Sequence, residues 1–166
     1  MIEIILLITI TALTRFIPHL PNFSPLVAVA LFSGVYLKKR FSFLVPLAIF
    51  VVSDAVIGMH DAVAITWLSI LIIYFLGYYV RNHKTVTHIL SFTFLSSCIF
   101  FLLTNFGVWL FGWYPHTPAG LADCFIRAIP FFRTSLVADF VYVGLLFGVY
   151  ELLVARRKLP LKQPLS

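Results

Sequence analysis

The sequence predicts an all-α integral membrane protein: one bundle of six transmembrane helices, the second of them short, with a short interfacial helix in the fifth loop. Three observations carry that prediction. The 166 residues are 61% hydrophobic and only 11% charged, whereas charged residues make up roughly 25% of a soluble globular domain. The apolar residues fall in six blocks, near 1–17, 25–37, 41–58, 62–81, 86–112 and 134–154, without the alternation that barrel strands require. The basic residues gather at the ends of those blocks. Lys38, Lys39, Arg40, Arg81, Lys84, Arg156, Arg157, Lys158 and Lys162 lie on one side of the drawn topology, against Arg15, Arg127 and Arg133 on the other. The positive-inside rule then places both termini in the cytoplasm, and an even number of crossings agrees. Because the net charge of +6 is accounted for by topology, it is no pointer to nucleic acid. Residues 1–155 are read as one transmembrane domain in the lipid bilayer, and 156–166 as a basic cytoplasmic tail.

Segment one begins MIEIILLITITALTRF, with an acid and no base ahead of the apolar run, which predicts a retained helix rather than a signal peptide. Segment two is the exception in length. Thirteen helical residues rise about 20 Å, against a hydrocarbon core of about 30 Å. The preceding IPHLPNFSP contains Pro18, Pro21 and Pro25, which prevent regular helix. Residues 18–24 are therefore expected to dip below the outer surface as irregular backbone. Such backbone is tolerated at depth where it lines a cavity. Segments three and four are ordinary apolar runs, and segment five ends in an aromatic belt of Trp109, Trp113 and Tyr114. Trp109 and Trp113 share one helix face, so they also fit a stacking wall. AIPFF, between Arg127 and Arg133, reads as the short interfacial helix or lid, and Thr134 or Ser135 as the cap of segment six. Two small-xxx-small spacings, Ala30 with Gly34 and Gly144 with Gly148, mark close helix packing, inside the bundle or against a partner helix. Cys98 and Cys124 form no expected disulfide.

The polar residues converge on the outer side. Substrate-binding candidates are Arg15, His19, Asn22, Asp54, His60, Asp61, Asn105, Trp109, His116, Arg127, Arg133 and Asp139. Arg15, Asp54, Asn105 and Asp139 lie within the hydrocarbon by register, so each must face the bundle interior and find a partner. Arg15 with Asp139 or Asp54 is the expected pair. Arg127 and Arg133 suggest attraction of an anionic or carboxylate-bearing ligand. No H-x-x-H or C-x-x-C spacing marks a metal site, and no nucleophile turn or phosphate-cradling loop marks a catalytic one.

The stretches RFIPHLPNFSP, ALFSG, SDAVIGMHD, TNFGVW, YPHTPAGL, AIPFFR and LVADFVY resemble an uncharacterised family of small six-helix bacterial membrane proteins. More loosely, the plan is similar to the substrate-capture (S) components of energy-coupling-factor vitamin transporters. That resemblance implies a multi-pass protein of the bacterial inner membrane whose first, third and fifth loops bind a vitamin-sized nutrient. It also implies a transmembrane coupling subunit and ATPases as partners, and no bound cofactor beyond a corrinoid or other vitamin as transported ligand. The small-residue motif lies here on segment two rather than one, and loop three carries His60 where corrinoid-binding relatives carry a cysteine. Two other readings stand beside it: a structural or assembly subunit whose polar residues hold the bundle together, and a membrane enzyme using His60, His116 and Asp123.

Overall fold

The computed structural model describes residues 2–17, 20–59 and 61–158. All regular elements among them are helical. The helices are α1 (Ile2–Leu13), continued by a 3-10 turn (Thr14–Phe16), α2 (Leu26–Tyr36), α3 (Leu44–Ile57), α4 (Val63–Val80), α5 (Val86–Leu110) and α6 (Pro118–Lys158). Three of them, α4, α5 and residues Pro118–Arg157 of α6, are long and apolar enough to cross a membrane. The other three do not reach the six full spans expected. Helices α1, α2 and α3 have 12, 11 and 14 residues and rise roughly 16 to 21 Å. Their ends are set locally. Pro25 directly precedes α2, and Gly58 ends α3 at φ 127°, a conformation open to glycine. Large apolar side chains such as Leu6, Ile10, Phe75, Leu102, Leu145 and Leu152 are exposed around the bundle. Water would penalise so much apolar surface and lipid would not, so length and surface together suggest a membrane protein.

Helix α2 forms the axis of the bundle. Residues 27–36 are all buried, with contacts to every other helix and the most extensive to α4. That crossing is tight because it is built on glycine. A Cβ on Gly34 would stand 2.0 Å from Tyr74 O, and one on Gly77 2.3 Å from Leu31 O. The Ala30 and Gly34 motif is thus used inside the chain, both residues being buried against neighbouring helices. At the far end of α2, Arg81 donates to Gly34 O at 2.7 Å, to Val35 O at 3.2 Å and to Leu37 O. A helix C-terminus leaves carbonyls without partners and carries partial negative charge. Arg81 answers both, so it is more than a topology marker.

The largest departure from the expected architecture is α6. Residues 113–133 were expected as a loop with a separate interfacial helix, followed by segment six from Thr134. Instead one helix of 41 residues begins at Pro118, with Thr117 Oγ1 accepting from Gly120 N at 3.0 Å. Proline is well suited to a first helical position, where its missing N–H costs nothing. The AIPFF stretch, read as a separate interfacial helix, lies within it, with Pro130 inside the helix. Proline in a membrane helix is tolerated where neighbouring groups satisfy the freed carbonyl. Ser135 correspondingly caps nothing and donates to Asn22 O at 3.1 Å. The helix also runs three residues past the expected domain boundary at 155.

Candidate functional site

Residues 20–25, between the 3-10 turn and α2, carry no helix, as the prolines and the short second segment predict. Asn22 holds φ 62°, a left-handed conformation that Asn adopts more readily than most residues. The turn is docked on α6 through Ser135. Beneath it lies a cavity of about 300 Å³, at the end of the bundle where α1, α3 and α5 finish. Arg15, Asn22 and Leu26 bound it on one side, Asp54 and Thr66 on another. Helix α5 contributes Ser97, Phe100, Phe101, Thr104, Asn105 and Val108, and α6 contributes Ala128, Phe131, Phe132, Ser135 and Asp139. A smaller chamber of about 40 Å³ adjoins it and shares Asn22, Leu26, Phe100, Ser135 and Asp139, with Ser24 and Val27 added.

Arg15 and Asp54 are paired across the cavity wall. Arg15 Nη2 lies 2.7 Å from Asp54 Oδ1, with the side chains 13% and 5% exposed. The second carboxylate oxygen accepts from Trp67 Nε1 at 2.8 Å, while Arg15 Nη1 donates to Ser53 and the guanidinium sits 5.3 Å from the Phe50 ring centre. A buried ion pair is tolerable when its remaining donors and acceptors are satisfied, and here most are.

Asp139 differs. Its residue is 2% exposed, and its only polar partner among the described residues is Ser97 Oγ, at 2.6 Å. That hydroxyl also lies 3.0 Å from Thr93 O and has one proton for the two acceptors. Arg15 is directed to Asp54, so no ion pair reaches Asp139 among the described residues. Nearby, the Ser24 hydroxyl is buried without a partner among the described residues.

Of the twelve substrate-binding candidates, the structure brings Arg15, Asn22, Asp54, Asn105 and Asp139 to one cavity. Five others lie off its wall. Trp109 donates to Pro115 O at 3.0 Å and stacks edge-on against His116 at 5.2 Å, so this pair closes the turn between α5 and α6. Asp61 accepts from Trp113 Nε1 at 3.2 Å, joining that turn to the connection between α3 and α4. Arg127 is held by both oxygens of Asp123 at 2.8 Å, and Arg133 is exposed on α6. His19 and His60 lie outside the described residues. The described residues contain no group of three His, Cys, Asp or Glu able to hold a metal ion.

The sequence reading missed Thr66, Ser97, Thr104, Ser135 and the four phenylalanines of the wall. A signal existed for part of this set. Thr93, Ser97, Thr104 and Asn105 recur at near-helical spacing through an otherwise apolar run, which marks one interior-facing stripe.

The other small-residue pair has a different setting. Gly144 and Gly148 are exposed, and a Cβ on either would meet nothing within 4 Å. They line a groove of about 590 Å³ near the basic end of the bundle, with Tyr36, Lys84, Ile89 and Phe147 among its walls.

A family model described as "Family of unknown function (DUF6580)" matches residues 1–162. No curated protein matches, and no solved structure does.

Proposed function

We infer that this chain, which belongs to the family of unknown function DUF6580, is a membrane protein that captures a small nutrient in the cavity between Asn22 and Asp139 and delivers it across the bilayer. The observation that carries the reading is the convergence of Arg15, Asn22, Asp54, Asn105 and Asp139 on one cavity. Polar and ionisable groups are costly inside hydrocarbon, and their collection around an open volume favours a ligand site. A volume of about 300 Å³ lies at the lower end of the range for small-molecule sites, which favours a compact ligand over a corrinoid.

In this proposal α1 to α3 complete six crossings, their shortfall in length covered by the 3-10 turn and by protein-lined irregular backbone. The basic connections lie in the cytoplasm and the cavity opens outward from a bacterial inner membrane. The working analogy is the S component of an energy-coupling-factor transporter. A transmembrane coupling subunit with its ATPases would dock on an exposed face, and the open Gly144 and Gly148 groove fits that need better than the buried Ala30 and Gly34. Ligand binding to the folded state raises stability by mass action. A panel of vitamins and other small nutrients is therefore expected to raise the melting temperature of detergent-purified protein. No shift with any of them, and no co-purifying compound, would contradict capture.

One observation favours a second reading, in which the protein is a structural or assembly subunit. The Arg15, Asp54, Trp67 and Ser53 network is largely satisfied within the chain, as a purely structural pair requires. Under that reading Asn105→Ala leaves uptake phenotypes unchanged.

A further inference from the structure

We propose that the cavity selects a compact organic cation, its ammonium group set against Asp139 and its apolar part against the phenylalanine wall. The inference rests on the capture reading and names the class of ligand captured. Three features of the wall point the same way.

The first is charge. Among the described residues the charged side chains on the wall are Arg15, Asp54 and Asp139. Arg15 and Asp54 neutralise each other at 2.7 Å, so an ionised Asp139 leaves the cavity one negative charge in excess. A buried carboxylate without a cation is strongly unfavourable, and a cationic ligand supplies what the chain does not. An anionic ligand would meet that charge in a medium that screens poorly.

The second feature is the direction of the hydrogen bonds. The wall is rich in hydroxyls, yet their protons are committed to the protein. Thr66 donates to Ala62 O at 3.4 Å, Thr104 to Phe100 O at 2.8 Å and Ser135 to Asn22 O at 3.1 Å. Asn105 donates one N–H from Nδ2 to Phe101 O at 2.8 Å, leaving its carbonyl oxygen as an acceptor beside its second N–H. These groups offer a ligand lone pairs, and an ammonium group consists of donors only. The smaller chamber bounded by Asp139 and Ser24 has room for a water or an N–H group beside the carboxylate.

The third feature is the aromatic wall. Phe100, Phe101, Phe131 and Phe132 line the cavity, with the rings of Phe101 and Phe132 centred 4.6 Å apart. Aromatic faces attract cations, most strongly where water is excluded. They also bury the apolar body of a small ligand.

The test uses the full chain in nanodiscs and four probes: 2-phenylethylammonium, 2-phenylethanol, 3-phenylpropanoate and sodium chloride alone. The expected result is that the ammonium compound stabilises the protein and binds on the order of ten- to a hundredfold more tightly than the neutral alcohol, with the carboxylate weakest. Asp139→Asn, which keeps the shape of the side chain, is expected to erase the preference while its melting transition stays cooperative. Should Asp139→Asn fail to fold, Thr104→Val serves as the second variant, and it is expected to weaken the ammonium compound more than the alcohol. Preference for the carboxylate, an unchanged preference in Asp139→Asn, or full stabilisation by sodium alone would overturn the proposal. A neutral or anionic molecule co-purifying in the cavity would overturn it while leaving capture standing. The absence of any bound or stabilising compound would sink capture itself.

Discussion

The two ends of the bundle use charge in opposite ways. At the basic end, several charged side chains are bound to the fold: Arg81 closes the carbonyls of α2, Glu151 accepts from Tyr36, Arg157 pairs with Glu3 and Lys84 lies over the Tyr36 ring at 4.9 Å. At the cavity end, Arg15 and Asp54 are similarly matched, but Asp139 is buried with one hydroxyl for company. Its one bond links α6 to α5, and it leaves the rest of a buried carboxyl group without a partner among the described residues. In the capture reading proposed above, the contrast separates groups that build the protein from a group set aside for a ligand.

The same division runs through the glycines, and substitutions there give the sharpest contrast. Gly34→Leu is expected to have the largest effect, because its first added carbon already meets backbone at 2.0 Å. A loss of more than about 3 kcal/mol, or no folded protein, should appear in thermal unfolding in detergent. Gly148→Ala, facing an open groove, should be tolerated. Comparable losses from both would dissolve the distinction between a packed and an open motif.

Next in size is Arg15→Ala. It leaves Asp54, at 5% exposure, as a second buried carboxylate without a cation, and a loss of about 3 kcal/mol is expected. The double variant Arg15→Met with Asp54→Leu should recover much of it. If the single substitution costs nothing, the pair is not the structural element described.

Asp139→Asn should behave oppositely to Arg15→Ala. Removing a buried carboxyl that has no cation beside it is expected to leave the melting temperature unchanged or raise it, while ligand-induced stabilisation disappears. A large drop in stability would mean that Asp139 holds the bundle together after all. The smallest effect belongs to Arg127→Ala. Its partner is the neighbouring Asp123 on an exposed helical turn, so neither melting temperature nor ligand response should move measurably.

Sequence alone carried the helical class and much of the polar lining of the cavity, for a physical reason. In a chain this apolar, each ionisable or amide group inside a block is conspicuous, and Arg15, Asp54, Asn105 and Asp139 had to face inward. It left two partners for Arg15, since the choice between Asp54 and Asp139 depends on helix rotation. The phenylalanines of the wall were invisible because a Phe lining a cavity and one facing lipid look alike in an apolar run. The continuity of α6 was hidden because its first part carries Asp123, Arg127 and Arg133, which interrupt the apolar block without interrupting the helix. The tight crossing of α2 and α4 was half legible: Ala30 and Gly34 form a recognised spacing, whereas Gly77 stands alone among bulky residues in YFLGYYV. Trp109, His116, Arg127 and Arg133 were drawn toward the site by their chemistry, yet the turn between α5 and α6 and the surface of α6 hold them elsewhere.

The central claim, that the unmatched carboxylate marks a ligand site, is tested most directly by native mass spectrometry of gently purified wild-type protein beside Asp139→Asn. The account predicts a small, positively charged molecule bound to the wild type and lost from the variant. Its contradiction would be two folded proteins with identical spectra, either both empty or both carrying the same molecule.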